Sequence, residues 1–122
     1  IKALIEANYK VAIITGANAI DVRARVKMLG IHYLYEGSTD KVPAFEDLQK
    51  KSGLSVDEMA YMGDDYFDIP LLNKVKFSAT VPDAMDEVIS SVQYITKRPA
   101  GNGAVREVCD YILKYGYYAT KA

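Results

Sequence analysis

The chain has 122 residues, half of them apolar and a quarter charged, which is enough for one core and at most one domain. Its formal net charge of −1 gives no basis for binding nucleic acid or an anionic membrane surface, and no apolar run is long enough to span a bilayer. A single cysteine, Cys109, excludes an internal disulfide framework and points to a reducing cytoplasm.

The opening Ile1-Lys2-Ala3-Leu4-Ile5-Glu6-Ala7 reads as the middle of an amphipathic helix, without Met or a capping residue, so further polypeptide is expected upstream. Val11 to Thr15 is a continuous apolar run, as in a parallel strand buried on both faces. Gly16 makes a turn and Asn18 is a candidate N-cap. Val22, Val26 and Leu29 carry a helical stripe that ends at Gly30. Ile31 to Tyr35 is a second strand, with the lone histidine, His32, at its start in a structural or exposed role. Gly37 to Asp40 turns into a helix over about Lys41 to Lys51, with Pro43 in its first turn.

Ser55 and Glu58 have capping-box spacing ahead of a strand, Met59 to Met62. A helix is expected from Asp65 to about Asn73, a strand from Phe77 to Val81, a helix from Ala84 to Ser90 and a last short strand from Val92 to Thr96. Lys97 to Gly103 is a loop. The closing helix places Val105, Val108, Cys109, Ile112 and Leu113 on one apolar stripe. Tyr115, Tyr117 and Tyr118 in the tail are candidates for subunit contacts. Alternating strands and helices imply an α/β fold, a parallel sheet with helices on both faces.

The most informative stretch is Met62-Gly63-Asp64-Asp65-Tyr66-Phe67-Asp68. Three carboxylates within five residues, at the end of a buried strand, lie at the sheet edge where open α/β folds bind ligands. Carboxylates about 4 Å apart repel by about 4 kcal/mol per pair at an effective dielectric near 20. A hard divalent cation such as Mg²⁺ answers that demand. Asp64 and Asp65 also have the chemistry of helix caps, and Asp68 suits a helix surface as well as a site. Lys41 opens a helix, where a cation is electrostatically unfavourable, so another reason for it is expected. Thr15, Lys41 and Asp64-Asp65 together make a site for a phosphate and a metal: a hydroxyl donor, a neutralising ammonium and cation-holding acids.

The order Thr15, Lys41, Gly63-Asp64-Asp65-x-x-Asp68 resembles motifs two to four of the haloacid dehalogenase (HAD) superfamily of phosphotransferases. Val22-Arg23-Ala24-Arg25, Leu29-Gly30-Ile31, Tyr35-Glu36-Gly37, Asp68-Ile69-Pro70 and Gly103-Ala104-Val105-Arg106-Glu107 are similar to the 3-deoxy-D-manno-octulosonate 8-phosphate (KDO 8-phosphate) phosphatase family. The resemblance implies a capless, three-layer Rossmann-like fold, a Mg²⁺ cofactor, a sugar-phosphate substrate on the way to lipopolysaccharide and a homotetramer. It implies that Thr15 and Gly16 bind phosphate and that Lys41 stabilises the phosphoryl group. It implies that Asp64 ligates the metal with support from Asp65 and Asp68, and that Arg106 and the Gly101-Asn102-Gly103 loop lie at the mouth of the site.

Two departures stand out. The family's Asp-x-Asp-Gly nucleophile motif is absent, and with it the central strand of the sheet; Glu6, on a helix, is the only acid before Thr15. Unpaired backbone groups cost roughly 1–3 kcal/mol each against a total stability of about 5–15 kcal/mol, so these 122 residues are not expected to fold alone. In addition, Ala17 and Asn102 stand where the family tends to carry basic residues, with Lys97 and Arg98 nearby. Other readings are a phosphatase for another nonulosonate phosphate and a non-catalytic oligomerisation module of the same fold. A phosphate-accepting receiver domain fits poorly, because its acid pair precedes its Thr and Lys.

Overall fold

In a computed structural model of the protein, residues 1–16 and 20–115 are described, with only the backbone at 20 and 21. The expected cap at Asn18, the departure at Ala17 and the tail tyrosines 117 and 118 lie outside the described residues. The elements follow the expected alternation: α1 (Lys2–Glu6), β1 (Ala12–Ile14), α2 (Ile20–Leu29), β2 (Tyr33–Tyr35), α3 (Val42–Ser52), β3 (Ala60–Met62), α4 (Ile69–Leu72), β4 (Phe77–Thr80), α5 (Asp86–Ile89), β5 (Tyr94–Ile95) and α6 (Ala104–Tyr115).

All described strand pairs are parallel, but they form two sheets rather than the single sheet that alternation alone implies: β1-β2 and β3-β4-β5. The edges of β1 and β3 are not hydrogen-bonded to each other. A cavity of about 350 Å³ lies there, lined by Ala12 and Ile14 of β1 and by Ala60 and Tyr61 of β3. The gap falls where the resemblance places an absent middle strand.

Helices cover both faces. On one, Leu4 of α1 and Val108, Cys109 and Ile112 of α6 pack on Phe77 and Ala79 of β4. On the other, Phe45 of α3 and Leu71 of α4 pack with Met59 and Val75, joined by Ile14 and Tyr61 from the two sides of the gap. The apolar stripe of α6 is narrower than its spacing suggests. Val105 is half exposed and Leu113 lies at the surface, while Ala104 is buried.

Local chemistry explains the boundaries. Lys41 is the N-cap of α3 without a side-chain cap bond, and the preceding Asp40 accepts from the Val42 amide at 3.2 Å. Gly53 ends α3 in the left-handed region, φ 70°, where glycine is favoured. The Ser55/Glu58 capping box forms as the spacing predicts, around a single 3-10 turn. The helix expected from Ala84 starts later, at Asp86, because Met85 is extended. His32 accepts a bond from the Val11 amide through Nδ1, a structural role at the start of β1. Arg23 on α2 reaches Glu36 at the exit of β2, with 2.9 Å from Nε to each carboxylate oxygen.

The loop after β5 is held by Glu107. Its carboxylate accepts from the Lys97 and Arg98 amides at 2.9–3.0 Å and from the Tyr94 hydroxyl at 2.6 Å. The hydrogen bond to Glu107 pushes the Tyr94 phenol up to about 12. Partial desolvation raises the Glu107 carboxyl, but its hydrogen bonds outweigh that and leave it below its ordinary value. A depressed carboxylate stabilises the fold above its unfolded value, about 4.3, and that support is lost as pH falls through the lower folded value. Glu107→Gln is therefore expected to lower the melting temperature at pH 7, and the gap from the wild type should close below about pH 4 in a calorimetric pH series.

Thr80 at the end of β4 is fully buried, and its hydroxyl has no hydrogen-bond partner among the described residues. An unpaired buried hydroxyl costs about 1–3 kcal/mol. Thr80→Val keeps the shape and removes that group, so denaturant unfolding should show equal or greater stability, by up to about 1 kcal/mol.

Candidate active site

The carboxyl ends of the two sheets meet at one carboxylate. Asp68 is 2% exposed, not on a helix surface, and a buried charge of that kind requires partners. It has four. Oδ1 accepts from Lys41 Nζ at 2.6 Å and from the Tyr61 hydroxyl at 2.6 Å. Oδ2 accepts from the backbone amides of Asp64 and Asp65 at 3.1 and 3.0 Å. Lys41 follows β2 and Asp68 follows β3, so this contact brings the exits of the two sheets to the same side of the molecule.

The placement of Lys41 at the start of α3 is thereby explained. A cation at a helix N-terminus costs roughly 0.3–1 kcal/mol, whereas breaking a buried ion pair on one side costs about 3–5 kcal/mol. The Lys41 side chain is 14% exposed, so it is not wholly sealed from solvent.

The two acids of the Gly-Asp-Asp turn divide their work. Asp65 is the N-cap of the 3-10 turn Tyr66–Asp68 and accepts from the Phe67 amide at 3.4 Å. The helix expected from Asp65 is that turn followed by α4, with Pro70 in its first turn. Asp64 is exposed, and its carboxylate accepts no hydrogen bond from the described residues. A rigid backbone with an uncommitted carboxylate suits a hard cation. No cluster of three or more His, Cys, Asp or Glu suited to a metal occurs among the described residues, so Asp64 offers part of a ligand set only.

Thr15 lies at the exit of β1. Its amide donates to the Tyr35 carbonyl at 2.8 Å, and its carbonyl accepts from the Ser38 amide at 2.9 Å. Ser38 belongs to the loop that leads into Lys41, so Thr15 and Gly16 border the same edge. Arg106 is not gathered into this cluster. Its side chain is 87% exposed, with Asp110 as its ion-pair partner at 4.0 Å.

Tyr61, Gly63 and Glu107 carry structural duties that motif reading did not assign. Burial, then the hydrogen bond to Asp68, pushes the Tyr61 phenol well above its ordinary value, so at neutral pH it only donates to the carboxylate. Any Cβ at position 63 would overlap the Asp68 carboxyl group.

A haloacid dehalogenase-like hydrolase family model matches residues 31–108. This chain belongs to the haloacid dehalogenase-like hydrolase family. As a member of that family it is also similar to the 3-deoxy-D-manno-octulosonate 8-phosphate phosphatase KdsC of Salmonella typhi, at 43% identity over 113 residues, 93% of this chain and 60% of that protein. The crystal structure of the phosphatase of the same name from Yersinia pestis superposes with a TM-score of 0.91 at 38% identity, covering 97% of this chain and 64% of the other. The Moraxella catarrhalis phosphatase, solved with magnesium, phosphate and KDO, gives a TM-score of 0.91 at 38% identity over 96% of this chain and 68% of the other. The chain thus spans about 60% of the length of the curated relatives it matches. These likenesses bear out the α/β HAD fold expected from the motifs.

Gly63→Ala is expected to force Asp68 out of its four contacts. Overpacking of this kind costs about 1–3 kcal/mol, and thermal unfolding of the variant should show that loss.

Proposed function

We propose that the full-length protein is a Mg²⁺-dependent phosphomonoesterase acting on KDO 8-phosphate. The observation that carries this reading is the Asp68 carboxylate, which sets an ammonium and the Gly-Asp-Asp turn side by side at the sheet edge. The names of the relatives, and the magnesium, phosphate and KDO of the Moraxella structure, supply the substrate class.

In this reading Lys41 faces the phosphoryl group and offsets the negative charge that builds on it. Thr15 and Gly16 bind phosphoryl oxygens from the exit of β1. Asp64 holds the metal, with Asp65 shaping the turn and Asp68 fixing its backbone. Bound there, magnesium supplies positive charge against the phosphoryl oxygens. The cleft between β1 and β3 takes a further parallel strand that brings the nucleophilic carboxylate and completes the metal's ligands. Its support is two unpaired strand edges and an apolar lining. Arg106 and the Gly101–Gly103 loop contact the sugar portion of the substrate.

Residues 1–122 form the larger part of one HAD core domain in this proposal. The active protein is a cytoplasmic homotetramer. Among the described residues, no helix is long and apolar enough to cross a membrane. Tyr66 and Phe67, 59% and 49% exposed beside the acids, are suited to burial in an assembly.

Phosphate release from KDO 8-phosphate tests the reading. Asp64→Asn is expected to lower kcat/KM by about a hundredfold or more, and EDTA should abolish turnover until magnesium is restored. Wild-type rates in EDTA would refute the metal assignment. Stable binding of KDO 8-phosphate without turnover would favour a non-catalytic module.

A further inference from the structure

The ion pair of Lys41 with Asp68 raises a difficulty. An ammonium held at 2.6 Å by a carboxylate of its own is partly neutralised, yet the proposed phosphatase needs its charge for the phosphoryl group. The second donor on the same oxygen resolves this. Tyr61 OH also lies 2.6 Å from Asp68 Oδ1 and shares that oxygen's lone pairs with Lys41 Nζ. A lysine has three N–H donors, and the pair with Asp68 takes one. The opposite oxygen, Oδ2, is given to the amides of Asp64 and Asp65.

We infer that Tyr61 is a positioning residue for Lys41: its hydroxyl draws on Oδ1 and so leaves the ammonium directed at the phosphoryl group instead of being absorbed by Asp68. The inference rests on the phosphatase reading above. It has a signature that a purely structural role lacks. Tyr61 acts through Oδ1, whereas the turn that carries Asp64 hangs from Oδ2. Loss of the hydroxyl should therefore weaken phosphate binding and leave metal binding alone.

Tyr61→Phe keeps the ring that packs with Phe45 and Leu71. In the full-length protein, kcat should fall about tenfold, the range for one hydrogen bond to a charged group. The inhibition constant of inorganic phosphate should rise several-fold, and the magnesium concentration for half-maximal rate should stay unchanged. Phosphate inhibition equal to that of the wild type, or a shift in magnesium dependence as large as that for phosphate, overturns the inference while leaving the phosphatase reading intact. A wild-type protein without phosphomonoesterase activity overturns that reading, and this inference falls with it. Should the Phe variant fail to fold, the wild type still decides the matter. Its Tyr61 hydroxyl proton resonance should move as inorganic phosphate is titrated in, and a stationary resonance counts against the coupling.

Discussion

A single buried carboxylate, Asp68, organises the edge of this molecule. A charge 2% exposed is costly unless every lone pair is used, and here an ammonium, a phenol and two amides use them. The requirement runs in both directions. Asp68 needs its donors to be buried at all, and the donors take their positions from it. Lys41 comes from one sheet, while Tyr61 and the Gly-Asp-Asp turn come from the other. The contact is therefore a fastening between halves of the fold as well as the floor of the candidate site.

The same constraint accounts for residues that otherwise look incidental. Gly63 is glycine because the Asp68 carboxyl occupies the space of its side chain. Asp40 accepts from the Val42 amide at the start of α3, while the Lys41 side chain reaches across to Asp68. Asp65 caps its own turn, so only Asp64 keeps an uncommitted carboxylate. The acids that cluster in sequence separate in space into a buried anchor, a cap and an exposed, uncommitted carboxylate. This resolves the repulsion expected among them without requiring all three to bind one ion.

The legible parts of the fold were those with a strong local signal. Apolar runs announced the strands around Ile13, Leu34, Tyr61 and Ala79, and the Ser55/Glu58 spacing announced its box. The order Thr15, Lys41, Gly-Asp-Asp pointed to residues that the fold brings to one edge. Illegible were contacts between residues far apart in the chain. Nothing local marks Tyr61 as a donor to Asp68, or Glu107 as the anchor of the Lys97–Arg98 turn. Helix faces were overread at their ends, where Val105 and Leu113 follow the period but lie beyond the reach of the sheet. The site role of Arg106 came from resemblance, and its exposed side chain gives no packing signal that a sequence could carry.

The division of the strands into β1-β2 and β3-β4-β5 has a kinetic consequence. Each set is contiguous in the chain, spanning 12–35 and 60–95, so its pairings close only short loops. Pairings within each set therefore close shorter loops than a pairing of β1 with β3 would. In the proposed full-length protein, a strand filling the cleft would pair with both free edges and so depend on both halves being formed. Without such a strand the cleft leaves apolar walls and strand edges open, the kind of surface that invites misassembly.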